Sequence, residues 1–165
     1  MSRMNKKSIA FFNSNDIYPV SADSTLPFEQ HRDIFYLSGV DQEESVLMLC
    51  PDASDPKHRE VLFLKETDDH IAVWEGPKLN KKQAYETSGI KTVYWLDEME
   101  KVIDEVSNEF DTIYYNHNEH YRANIEMETR EERFNKWIEN KFPKKIKERS
   151  NPILQHFRSI KDAIE

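Results

Sequence analysis

The sequence predicts an α/β domain, a sheet of about six strands flanked by helices, and three observations carry that expectation. Short runs rich in β-branched and aromatic residues recur from Ser8 to Asn116. Several are continuously apolar instead of alternating, as in Val46-Leu47-Met48-Leu49-Cys50, the pattern of a strand covered on both faces. Between them lie segments with helical spacing and readable ends.

The predicted strands are Ser8–Asn13, Ile34–Ser38, Ser45–Cys50, Val61–Lys65, Lys91–Leu96 and Thr112–Asn116. Asp52–Arg59, with Pro56 and several charges, reads as the hairpin connection between the third and fourth. Asn80 is placed to cap a helix over Lys81–Ser88, Gln83 to close its capping box, and Gly89 to end it in a left-handed turn. Asp97 and Glu100 read as the capping box of the next helix. Its Met99, Val102, Ile103, Val106 and Phe110 share one face, which is core. Glu119–Phe142 also reads as helical, with the charged stretch Glu126–Arg133 facing solvent, and Pro143 ends it. Lys144–Arg149 reads first as a basic solvated connector and second as a binding patch, and Asn151-Pro152 opens a last helical segment, Ile153–Glu165.

Composition excludes several functions. In 165 residues, 23 Lys and Arg face 31 Asp and Glu, a formal charge of −8. With a pI near 5.3, the chain has no general attraction for nucleic acid or anionic lipid. Cys50 is the sole cysteine, so no disulfide forms within the chain, and a reducing, cytoplasmic setting is expected. The apolar stretch Ile9–Phe12 is far too short for a signal peptide core or a membrane span. The three glycines, Gly39, Gly76 and Gly89, lie too far apart for a dinucleotide fingerprint or a P-loop.

Three places hold candidate chemistry. In Asn116-His117-Asn118-Glu119-His120 two histidines and a carboxylate crowd together, but a zinc site wants at least three well-placed ligands, and capping or solvent contacts are the plainer role. Asp16, Asp23, Asp33, Asp41, Glu43 and Glu44 supply carboxylates for acid/base work, a density expected by chance in so acidic a chain; Asp16 and Asp23 read as turn residues near Pro19 and Pro27. Trp74-Glu75-Gly76-Pro77 sets a flat aromatic beside a rigid turn, which suits an anchor for a peptide or a subunit, or equally a closure of the sheet edge.

Three segments together resemble the N-terminal domain of aminopeptidase P, in the creatinase/prolidase metallopeptidase group. They are Asp23–Gly39, with Pro27-Phe28-Glu29-Gln30 leading through Asp33 to Phe35-Tyr36-Leu37-Ser38-Gly39; Leu62-Phe63-Leu64 followed by Trp74-Glu75-Gly76-Pro77-Lys78-Leu79 and Ala84; and Phe157-Arg158-Ser159-Ile160-Lys161 running to Glu165. The resemblance implies a mixed sheet with a ribonuclease H-like arrangement in residues 1–152, and in 153–165 the start of a linker helix into a catalytic domain of pita-bread shape. It implies a parent enzyme that removes the residue preceding proline from peptides, with a dinuclear centre, usually manganese, held by two Asp, one His and two Glu of that second domain. No catalytic or metal-ligating residue is then expected in this chain, which alone should be inactive. Its implied part is homo-oligomer assembly and restriction of the active-site entrance, with Trp74 and Glu75 contacting substrate or a neighbouring subunit; the alternative is a peptide-binding or scaffolding module on a catalytically degenerate or prolidase-like parent. Where the family run often has Arg before Gln, this chain has Glu29, and Arg32 is the nearest substitute. Fold alone does not imply nuclease activity.

Overall fold

The computed structural model describes residues 4–115, with 140 and 143 beyond them. The expected helix Glu119–Phe142, apart from residue 140, the expected helix Ile153–Glu165, the basic run Lys144–Arg149 and the cluster of His117, Glu119 and His120 lie outside the described residues.

Strand β1 (Ser8–Asn13) is followed by a short hairpin of β2 (Pro19–Ser21) and β3 (Ser24–Thr25), then helix α1 (Arg32–Ser38). Strands β4 (Ser45–Leu49) and β5 (Glu60–Leu64) are joined through a 3₁₀ turn at Pro56–His58, as the Asp52–Arg59 connection predicts. Helices α2 (Asp69–Glu75) and α3 (Lys81–Ser88), strand β6 (Thr92–Trp95), helix α4 (Met99–Val106) and strand β7 (Thr112–Tyr115) complete the described part. The main sheet runs β6-β5-β4-β1-β7. Only β4 is antiparallel to both its neighbours, whereas β6 runs parallel to β5 and β7 parallel to β1, which makes the sheet mixed.

The sheet has five strands instead of about six, because Ile34–Ser38 is helical. The run Ile-Phe-Tyr-Leu is rich in strand formers, but its local bonding decides otherwise. His31 Nδ1 accepts from the Asp33 N–H at the helix start, and Ser38 Oγ donates to the Ile34 carbonyl at 2.7 Å. Gly39, at φ 68, closes the helix by donating its N–H to the Phe35 carbonyl. Only Ile34 and Ser38, four residues apart, are buried, which is one helix face and not one strand face.

The continuously apolar strands are buried on both sides, as expected, and successive residues alternate between two cores. Met48, Val61 and Phe63 pack with Ile9 beneath Val102 and Val106 of α4. Leu47, Leu62 and Leu64 pack on the opposite side with Ile34 of α1, Ala84 of α3 and Ile90. Helices thus cover both faces.

The Asn80–Gln83 capping box and the left-handed Gly89 are present as read from the sequence. The box expected from Asp97 and Glu100 is displaced: a 3₁₀ turn over Leu96–Glu98 precedes α4, and the Glu98 carboxylate accepts the Trp95 N–H at 2.8 Å. The core face of α4 is nevertheless the predicted one, with Met99, Ile103 and Phe110 packed beside Val102 and Val106. Among the described residues no helix is long and apolar enough to cross a membrane.

Candidate functional site

Gln30, in the Pro-Phe-x-Gln segment, acts as a staple. Its Nε2 donates to the carbonyls of Val40 at 3.1 Å and Gln42 at 2.8 Å, while its Oε1 accepts the His31 N–H at 2.8 Å. Ser45 Oγ donates to the same Gln42 carbonyl at 2.7 Å. One carboxamide therefore fixes the 39–45 turn against the start of α1 and satisfies carbonyls that burial would leave without water.

Two open grooves meet at this turn. The first, about 840 Å³, is lined by Phe28, Glu29, Arg32, Asp33, Phe35 and Tyr36 among others. Tyr36 is 89% exposed and Phe35 50%, so α1 turns aromatic surface outward. The second, about 420 Å³, is lined by Gln42, Glu43, Glu75, Lys78, Leu79 and Thr87 among others. Asp41 borders both.

Charge at and beside the second groove is organised around two lysines, of which Lys78 lines it. Lys65 Nζ lies 2.9 Å from Glu44 and 3.0 Å from Glu75. Lys78, only 5% exposed in its side chain, pairs with Glu43 and lies 3.7 Å from Glu75. The hydrogen bond from Lys65 holds the Glu75 carboxyl below its usual range, with the Lys65 and Lys78 charges adding to it. The bonds to Glu44 and then Glu75 push Lys65 upward. A depressed Glu75 stabilises the fold above its ordinary value of 4.5 and loses that contribution as pH falls through its lower folded value. A raised Lys65 contributes below 10.5 and loses it as pH rises through its higher folded value. The urea midpoint of Lys65→Met should therefore trail that of the parent chain most between these limits and converge with it at the acid and alkaline extremes. A pH-independent deficit would contradict the ion-pair account.

The three residues read from the sequence as entrance or subunit contacts are distributed as follows. Arg32 begins α1 and lines the first groove. Glu75 ends α2 and lines the second. Trp74 precedes it within the last turn of α2, where the sequence alone suggests a loop, and its side chain lies outside the described ones. Arg32 and Glu75 thus stand in adjoining grooves whose shared border is Asp41. Sequence reasoning misses Gln42 and Lys78. From the sequence the stretch Asp41–Glu44 draws notice only for its carboxylates, yet Gln42 within it is 4% exposed. Cys50 is buried, and burial pushes its thiol upward, away from reactivity.

No group of three or more His, Cys, Asp or Glu that could hold a metal occurs among the described residues. What the arrangement offers is binding surface: outward aromatics on α1 and a polar groove with fixed charges beside it.

The model of the aminopeptidase P N-terminal domain matches residues 1–114. The chain belongs to that family. Among curated relatives, Xaa-Pro aminopeptidase 3 of Rattus norvegicus is 27% identical over 155 residues, covering 92% of this chain and 30% of the relative. The Xaa-Pro aminopeptidase of Escherichia coli is 29% identical over 105 residues, 64% of this chain and 24% of that one. A solved structure, zinc-substituted Escherichia coli aminopeptidase P in complex with product, superposes with a TM-score of 0.61 at 29% identity, over 73% of this chain and 27% of its own. Pseudomonas aeruginosa aminopeptidase PepP gives a TM-score of 0.64 over 83% of this chain and 29% of its own, and at 22% identity it speaks for the fold alone. This chain of the aminopeptidase P N-terminal domain family spans under a third of the length of these relatives.

Proposed function

We propose that this chain is the non-catalytic N-terminal domain of a Xaa-Pro aminopeptidase, a hydrolase that removes the residue preceding proline. Its role is to assemble subunits and to narrow the entrance through which peptides reach a separate catalytic domain. The observation that carries the reading is the family match over residues 1–114, in which the Pro-Phe-x-Gln segment shapes an exposed aromatic groove instead of a reactive pocket. Further support comes from the named activity of the relatives. In this reading the metal, a dinuclear manganese centre, belongs to the catalytic domain. The partners are that domain, neighbouring copies and proline-containing peptides, and the setting is cytoplasmic. The acidic charge leaves nucleic acid out of the partner set.

Trp74 tests the entrance role. In the protein carrying this chain with its catalytic domain, Trp74→Ala should lower kcat/KM for longer Xaa-Pro peptides by about tenfold, chiefly through KM, as loss of an aromatic anchor does. Its far-ultraviolet circular dichroism should be unchanged. Kinetics identical to the parent's at every peptide length would remove Trp74 from the entrance.

A further inference from the structure

We propose that the groove beside α1 binds an aliphatic polyamine, a chain of methylenes carrying several separated ammonium groups. The groove, about 840 Å³, has the size of a small-ligand site and is lined by Phe28, Phe35 and Tyr36 together with Glu29, Asp33 and Asp41. Its walls are held in place: Gln30 ties the 39–45 turn to the start of α1, and the Asn15 side chain donates to the Glu29 carbonyl at 2.9 Å. Three carboxylates there face one cation, Arg32. Among the described residues none of the three carboxylates enters an ion pair, whereas Glu43, Glu44 and Glu75 are all taken up by Lys65 and Lys78. The cation found over aromatic rings is Lys81, on Tyr94 and Trp95, so among the described residues no charge covers Phe28, Phe35 or Tyr36. Unneutralised negative charge thus lies beside uncovered aromatic surface, and both attract an organic cation.

The distribution of that charge selects the chemistry of the ligand. Glu29 precedes α1, Asp33 sits in its first turn and Asp41 belongs to the turn that follows it. Among the described residues no group of three carboxylates converges where a metal ion could sit, so one compact cation meets only part of the charge. Ammonium groups spaced by methylenes can each meet a different carboxylate while the methylenes lie on the rings. Tyr36, 89% exposed, and Phe35, 50% exposed, are open to such a chain. A neutral chain forfeits the charge, and a point charge forfeits the apolar contact. The site goes beyond the entrance role proposed above and does not depend on it.

Nuclear magnetic resonance of the full, ¹⁵N-labelled chain at about 0.15 M salt tests it. Spermidine should shift the backbone amide signals of Asp33, Tyr36 and Asp41 saturably, with half-saturation at about 1 mM. Hexaamminecobalt(III), with the same charge gathered at one point, and neutral octanediol should each bind about tenfold more weakly. Asp33→Asn and Tyr36→Ala should each weaken spermidine about threefold. Both side chains are exposed; should either variant fail to fold, Glu29→Gln takes its place with the same expectation. Shifts still rising linearly at about 10 mM spermidine, an equal response to either control, or unchanged affinity in either variant would each overturn the proposal. Saturation by hexalysine with spermidine silent would overturn it as well and assign the groove to a basic protein segment.

Discussion

Phe63→Ala is expected to lower folding stability by about 3–5 kcal/mol, a large part of what a domain of this size has to spare. Phe63 is fully buried in β5, opposite Val46 of β4 and Tyr94 of β6. Its ring stacks on Tyr94 with centroids 6.2 Å apart and packs into the core beneath α4. Removing the ring opens a cavity that paired strands on both sides of β5 cannot collapse to fill. Urea unfolding followed by tryptophan fluorescence measures the loss. A change below about 1 kcal/mol would mean that the α4 face is not a close-packed core.

The second large effect belongs to Gln30. Replacing it by Ala removes donors from two carbonyls, Val40 and Gln42, and should cost about 2 kcal/mol. Gln30→Glu should cost more, since a carboxylate oxygen would then face the Val40 and Gln42 carbonyl oxygens. Both variants free the 39–45 turn, so amide hydrogen exchange should accelerate at Val40 and Ser45, whose N–H groups bond to Ser38 Oγ and Ser14 Oγ. A Gln30→Glu protein as stable as its parent would show that Gln30 does not staple the turn.

The core strands are legible in the sequence because burial on both faces writes itself into composition: Leu47 and Met48, or Leu62 and Phe63, serve opposite cores and must all be apolar. Helix α3 is legible because Asn80, Gln83 and Gly89 act within a few residues of one another. Helix α1 is not, since Phe35, Tyr36 and Leu37 face outward, and only the burial of Ile34 with Ser38 reveals the helical period. The same outward aromatics make α1 a candidate binding surface. For the site, Trp74, Glu75 and Arg32 stand out by motif, whereas Gln42 depends on Leu79, 37 positions away, and no local signal reports such a contact.

The central claim is that this domain serves a Xaa-Pro aminopeptidase without itself catalysing. Hydrolysis of an Ala-Pro-Ala peptide, measured in parallel for residues 1–165 and for the protein that joins them to its catalytic domain, both supplied with manganese, tests it most directly. The account predicts release of alanine by the joined protein and none by residues 1–165. Release by residues 1–165 alone, or none by the joined protein, would contradict it.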